Sequence, residues 1–187
     1  MIRFMLGMIA LATILVMGAG PVGAQSAPVR VPGIASQSAE SPIALATDDD
    51  LAIKKAVITR VLTRYGSPLA GTADGFIKAC TEYNLNCYLL PSISGVESTF
   101  GKFLLPGTYN PFGWGSGTIP FTSWEDGYMT VGKGLRHNYI NRSAVTVEQI
   151  GAIYAASETW PQKVRFFLRV FEEEEREVTL LFQQGAL

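Results

Sequence analysis

The chain has 187 residues, a length that suits one ordinary domain with appendages. A hydrophobic share of 48% supplies a core, and the mean hydropathy of +0.20 is high for a soluble domain because part of it lies in the first two dozen residues. The net charge is −1, with Lys and Arg scattered and no basic stripe, which excludes the electrostatic footprint of a nucleic-acid binder.

At the N-terminus, Arg3 precedes an apolar run from Phe4 to Met17, and Val22-Gly23-Ala24 supplies small residues for cleavage. Residues 1–24 therefore read as a secretory signal peptide. An uncleaved membrane anchor is the alternative, disfavoured by Gly18, Gly20 and Pro21 and by a run shorter than the roughly 20 residues a spanning helix needs. In both cases the remainder is expected to be exported to the periplasm, the wall or the medium, with membrane contact only through this segment if it is retained. Residues 25–47, rich in Ser, Ala, Pro and Gln, read as a flexible linker.

Residues 48–187 form the expected domain, mainly α. Leu51, Val57, Ile58, Val61, Leu62 and Tyr65 recur at helical spacing behind a run of Asp, and Gly66 can end that helix. A second helix is expected over Thr72–Tyr83, with Phe76, Ile77 and Ala79 or Cys80 inward. Cys80 and Cys87 would lie about 10 Å apart along a continuous helix. Tyr83-Asn84-Leu85-Asn86, however, reads as a helix end and turn that can bring them within the roughly 4.4–6.8 Å of a disulfide. In an oxidising compartment a small disulfide-closed loop is expected, with two free buried thiols as the alternative.

A third helix spans about Tyr88 to Phe100, with Pro91 tolerable in its first turn. Residues 101–121 then hold five Gly, three Pro and the aromatics Phe103, Tyr109, Phe112, Trp114 and Phe121. That composition predicts a long loop or a small β-lobe, and long ordered loops in compact domains are usually functional. Ser123 with Asp126, and Thr146 with Gln149, have capping-box spacing. They open a fourth helix to about Asn141 and a fifth to about Ala155. Pro161 suits the first position of a last helix carrying Val164, Phe167, Leu168 and Phe171. The Glu172–Glu175 run reads as a solvated face.

One carboxyl stands out. Glu97 is the only charged residue between Glu82 and Lys102, at the end of an apolar helix and just before the aromatic loop. Among Ile93, Val96 and Phe100 such a group is poorly solvated, which raises its pKa. A glycosidic general acid needs this property, because it must hold a proton near neutral pH and deliver it to the leaving oxygen. A solvated or capping Glu is the competing explanation. His137, the only histidine, reads as an ordinary helix residue. No phosphate-binding glycine loop, metal-ligand cluster or Ser/His/Asp set is present, so no cofactor or metal is expected.

Three segments in order carry a resemblance: Glu97-Ser98-Thr99-Phe100-Gly101, Asn110-Pro111-Phe112-Gly113-Trp114, and Ile153-Tyr154-Ala155-Ala156-Ser157 with Trp160 and Lys163-Val164 behind it. Together, over residues 72–171, they resemble the lysozyme-like superfamily and, within it, the glucosaminidase domain of bacterial autolysins and flagellar muramidases. The resemblance implies a lysozyme-like helical domain that cleaves β-1,4 bonds of peptidoglycan glycan strands, as a monomer, with Glu97 as general acid. Tyr154 would line the site and help orient substrate or charge. Ser98, Asn110, Phe112 and Trp114 would shape the glycan cleft. The sequence departs from the family where Ser157 replaces a motif Asp, and no second carboxylate is evident. Glu125 is the best remaining candidate, though a first-turn Glu serves equally as a helix-dipole partner. A wall-binding or assembly protein on the same scaffold, without turnover, is the competing expectation.

Overall fold

The computed structural model describes residues 46–185. The expectations for residues 1–24 and for the linker up to residue 45 lie outside the described residues. Six α-helices account for the fold: α1 (Asp48–Arg64), α2 (Ala73–Glu82), α3 (Leu89–Ser98), α4 (Trp124–Gly134), α5 (Val147–Tyr154) and α6 (Trp160–Gln183). The mainly α expectation holds. No β-strand occurs among the described residues, so the alternative of a small β-lobe is corrected to a loop.

Helix starts follow local chemistry. Thr47 caps α1 through Asp50 N–H while the Asp50 carboxylate returns to Thr47 N–H, a full capping box behind three acidic residues. Thr146 and Gln149 do the same for α5. Ser123 caps α4, but the Asp126 carboxylate turns to Thr122 instead of closing the box. Pro161 occupies the first turn of α6, where its missing N–H costs nothing.

α1 and α6 pack along each other, α3 lies on α6, α2 on α4 and α1, and α5 on the start of α6. Val57, Ile58, Val61 and Leu62 of α1 are fully buried against this layer, with Phe76, Ile93, Val164, Leu168 and Phe171. Full burial stabilises each such side chain by about 1.5–3 kcal/mol relative to exposure. The disulfide forms: Cys80 and Cys87 have Cα atoms 4.9 Å apart. The helix stops at Glu82 and Asn84 takes a left-handed conformation (φ 47°), which turns the chain back.

Two sequence expectations need correction. The fourth helix does not run unbroken to Asn141; α4 ends at Gly134 and continues as a π turn over Leu135–Tyr139 and a 3₁₀ turn over Ile140–Arg142. Arg136, in that π turn, donates from Nε to the Tyr83 carbonyl at 2.6 Å and from a terminal nitrogen to the Asn84 carbonyl, tying the turn to the disulfide loop. The Glu172–Glu175 run is not simply a solvated face. Glu174 is 2% exposed and pairs with Arg60 at 2.5 Å and with Arg64, while Glu175 pairs with Lys54 at 2.6 Å. These pairs join α1 to α6, and the arginines reach Glu174 from the partly exposed edge of that interface.

Candidate active site

The third helix ends in three consecutive left-handed residues, Thr99 (φ 50°), Phe100 (φ 58°) and Gly101 (φ 79°). Left-handed backbone costs an L-residue about 1–2 kcal/mol. Phe100 offsets this by complete burial among Tyr65, Phe167 and Phe171, and its N–H reaches the Ser94 carbonyl at 2.9 Å. Ser98, 3% exposed, secures the turn: its Oγ donates to the Pro111 carbonyl at 2.8 Å and accepts the Gly101 N–H at 2.8 Å. Ser98 is therefore foremost a brace between α3 and the loop, with only an edge on the cleft.

This reversal presents Glu97, half-buried, at the last turn of α3. Its carboxyl faces a cleft of about 660 Å³, lined by Glu97 and Ser98, by the 103–106 segment, and by Asn110, Gly113 and residues 116–118. Phe103 and Leu105 on this rim are 74% and 56% exposed, an apolar edge that no element of the described residues covers. A second depression of about 310 Å³ shares Gly113 and Ser116 with it and adds Trp114, Ile119, Tyr139 and Tyr154. Gly113 (φ 63°) lies directly against the carboxyl; a Cβ there would come within 2.9 Å of Glu97 Oε2. Glycine is required by both the backbone and the space.

Glu97 Oε1 accepts a hydrogen bond from Trp160 Nε1 at 2.6 Å. Burial pushes the Glu97 pKa above its ordinary value of 4.5, and the Trp160 N–H and the Lys163 charge partly counter that rise. Trp160 stacks on Tyr154 with ring centroids 5.0 Å apart. The Tyr154 hydroxyl donates to the Phe112 carbonyl at 2.7 Å, not to Glu97. Burial, followed by the Glu97 charge and then Tyr139, holds that hydroxyl well above the usual phenol range. Tyr154 is thus a neutral donor at neutral pH that fixes the loop beside Glu97.

The aromatic loop is organised by side chains in the absence of strands. Asn110, 2% exposed, donates to the Trp114 carbonyl at 2.8 Å and the Ile119 carbonyl at 3.0 Å, and accepts the Trp114 N–H at 3.1 Å. One amide thereby satisfies three backbone groups. Trp114 is half-buried beside Tyr154 and Tyr139, with ring centroids at 5.8 and 6.3 Å. The π turn carries Tyr139 into this cluster, and π turns are frequent at functional sites.

The expected site residues thus separate. Glu97, Ser98 and Asn110 line the larger depression, and Trp114 and Tyr154 the smaller. Phe112 does not form the cleft wall: its side chain is fully buried and packs edge-on to Tyr128, because only its carbonyl is turned toward Tyr154. Glu125 lines neither depression; it is exposed and pairs with Lys78 at 2.5 Å where α2 meets α4. Its place in the first turn of α4 marks it as a dipole partner and ion-pair group. Among the described residues, Glu97 is the one acidic residue lining either depression.

Sequence reasoning missed the role of Trp160, whose N–H meets Glu97 across 63 positions, and that of Tyr139. A Trp following the Tyr-Ala segment was the only available signal. No group of three His, Cys, Asp or Glu side chains is placed to hold a metal ion among the described residues. No helix there is long and apolar enough to cross a membrane. The chain matches no protein-family model and no curated protein.

Proposed function

We propose that this chain is an exported peptidoglycan hydrolase of the lysozyme-like, glucosaminidase-related kind, cleaving β-1,4 glycosidic bonds with Glu97 as general acid. The observation that carries this reading is a lone carboxyl, raised in pKa by burial, on the border of an open cleft beside neutral Tyr154. Protonated, Glu97 can donate to a leaving glycosidic oxygen; ionised after donation, it can act as base toward the incoming nucleophile. The aromatic faces of Trp114 and Tyr139 suit the apolar faces of sugar rings. Asn110 serves by holding the loop in shape.

Two-carboxylate mechanisms require a partner at about 5–5.5 Å for retention or about 6.5–9.5 Å for inversion. Among the described residues neither depression offers one, which favours routes using a single protein carboxyl. Assistance by the substrate N-acetyl group is one, and lytic transglycosylation is the other. The same observation favours a second reading, a wall-binding protein without turnover.

Incubating the residue 25–187 protein with purified sacculi, alongside Glu97→Gln, tests both. Soluble muropeptides from the wild type and none from the variant are expected. Mass analysis of their ends then identifies the bond: reducing muramic acid, reducing glucosamine or anhydromuramic acid. Sacculus binding without released fragments would establish the second reading. Lysis by Glu97→Gln at the wild-type rate would remove Glu97 from the mechanism.

A further inference from the structure

We propose that Trp160 is a positioning residue that fixes the transferable proton of Glu97 on Oε2, the oxygen facing the cleft at Gly113. The inference rests on the reading of Glu97 as a general acid and adds which atom delivers the proton and what holds it there.

An indole has one N–H and no acceptor. The carboxyl oxygen it touches must therefore offer a lone pair, whatever the charge of the acid. That oxygen is Oε1, at 2.6 Å. In a protonated carboxyl the carbonyl oxygen is the stronger acceptor, so the indole N–H favours Oε1 as the carbonyl and leaves the O–H on Oε2. A Cβ at Gly113 would meet Oε2 at 2.9 Å, and Glu97 and Gly113 both line the larger cleft, so Oε2 is the oxygen on the Gly113 side of that cleft. Without Trp160 the carboxyl could carry its proton on either oxygen and rotate between them. Only one arrangement aims the proton into the cleft.

The indole is itself held rigidly. Trp160 is 3% exposed, opens α6 with Pro161 behind it, and stacks on Tyr154 at 26° between planes. Gly151 of α5 lies so close that a Cβ would come within 2.9 Å of Trp160 Cε3. The junction of α5 and α6 thus sets the indole, and the indole sets the acid. The charged and titratable groups acting on Glu97 are Lys163 from α6 and Tyr154 from α5. Glu97 is the only titratable residue of α3, and loop residues 103–118 contribute only Tyr109. Lys102 is turned away to the Tyr65 carbonyl at 2.7 Å. Because the indole N–H favours the ionised acid, its removal moves the Glu97 pKa up.

The experiment compares wild type with Trp160→Phe, which keeps a ring and removes the N–H. Fragment release from sacculi is followed across pH, and Glu97 is titrated directly by NMR of the ¹³C-labelled carboxyl. The inference expects kcat to fall roughly 10- to 100-fold, the effect of a lost orientation, with KM little changed. It also expects the alkaline limb of the rate profile and the NMR titration to move upward together. An unchanged rate and an unchanged titration would overturn it. So would a lower rate with no shift in titration, which marks a packing defect. If Trp160→Phe does not fold, benzothienylalanine placed at position 160 substitutes sulfur for the N–H in nearly the same shape and yields the same two readouts. A wild type that releases no fragments would defeat the hydrolase reading alone. The NMR comparison would still decide whether Trp160 holds Glu97 and would overturn the inference if the titration did not move.

Discussion

At the scale of the residue, Glu97 shows how a site draws on folding stability. Its folded pKa is raised by burial, so the folded state binds the proton more tightly than the unfolded chain. The resulting contribution is fully present below the unfolded value and is lost as pH rises through the folded one. Ionising Glu97 in the folded state therefore opposes folding, relative to an uncharged amide of the same shape. Glu97→Gln is expected to be at least as stable as wild type at neutral pH while inactive on sacculi. Its advantage should shrink to nothing as pH falls below the ordinary Glu range. Urea unfolding of both proteins from about pH 4 to about pH 8 checks the sign. An advantage for Gln that grew toward acid would contradict the burial argument. The lone charge in an apolar helix was legible in the sequence because desolvation follows from immediate neighbours. Its hydrogen bond to Trp160 was not, because 63 intervening residues had to fold first.

At the scale of the element, the loop between α3 and α4 departs most from ordinary secondary structure. Its composition indicated non-helical backbone, since Gly and Pro at that density exclude a continuous α-helix. Composition could not choose between strand and loop. That choice fell to Asn110, whose amide satisfies three backbone groups a strand ladder would otherwise pair. Asn110→Ala is expected to cost about 2–3 kcal/mol, as three part-buried backbone groups lose their shared partner. Hydrogen exchange should speed up within residues 108–119 while α1 and α6 keep their protection. Uniform loss of protection would instead mean that the loop unfolds only with the whole domain. The helix starts were more legible, because Ser123 with Asp126 and Thr146 with Gln149 act within one turn. The π turn at Leu135–Tyr139 gave no comparable local signal. Arg136, which ties it to the disulfide loop, acts across the chain.

At the scale of the whole molecule, two devices tie helices together. The α1–α6 interface contains buried Glu174 with Arg60 and Arg64, although the glutamate run looked like a solvated face. A charge run does not reveal which of its members faces inward; only the helix phase against α1 settles that. The second device is the Cys80–Cys87 disulfide. By closing a short loop it limits the unfolded chain, a contribution of about 2–3 kcal/mol in the loop-entropy model. Replacing both cysteines by Ser should lower unfolding stability by about that amount, measured by urea titration without reductant. No change in the midpoint would show that the α2–α3 turn is fixed by Arg136 and packing alone.

The sequence by itself determined what depends on near neighbours: the helix periodicities, two of the N-terminal caps, the break in helix over 101–121, and the poor solvation of Glu97. Each arises within a few residues, where side-chain spacing and backbone preference act directly. The tertiary structure decided what depends on convergence in space. It buried Phe112 and set Glu125 against Lys78 instead of Glu97. It also placed Trp160 and Gly113 on opposite oxygens of one carboxyl. The reason is physical: a hydrogen bond or close contact between distant segments is specified by how whole helices pack, and no local pattern encodes it.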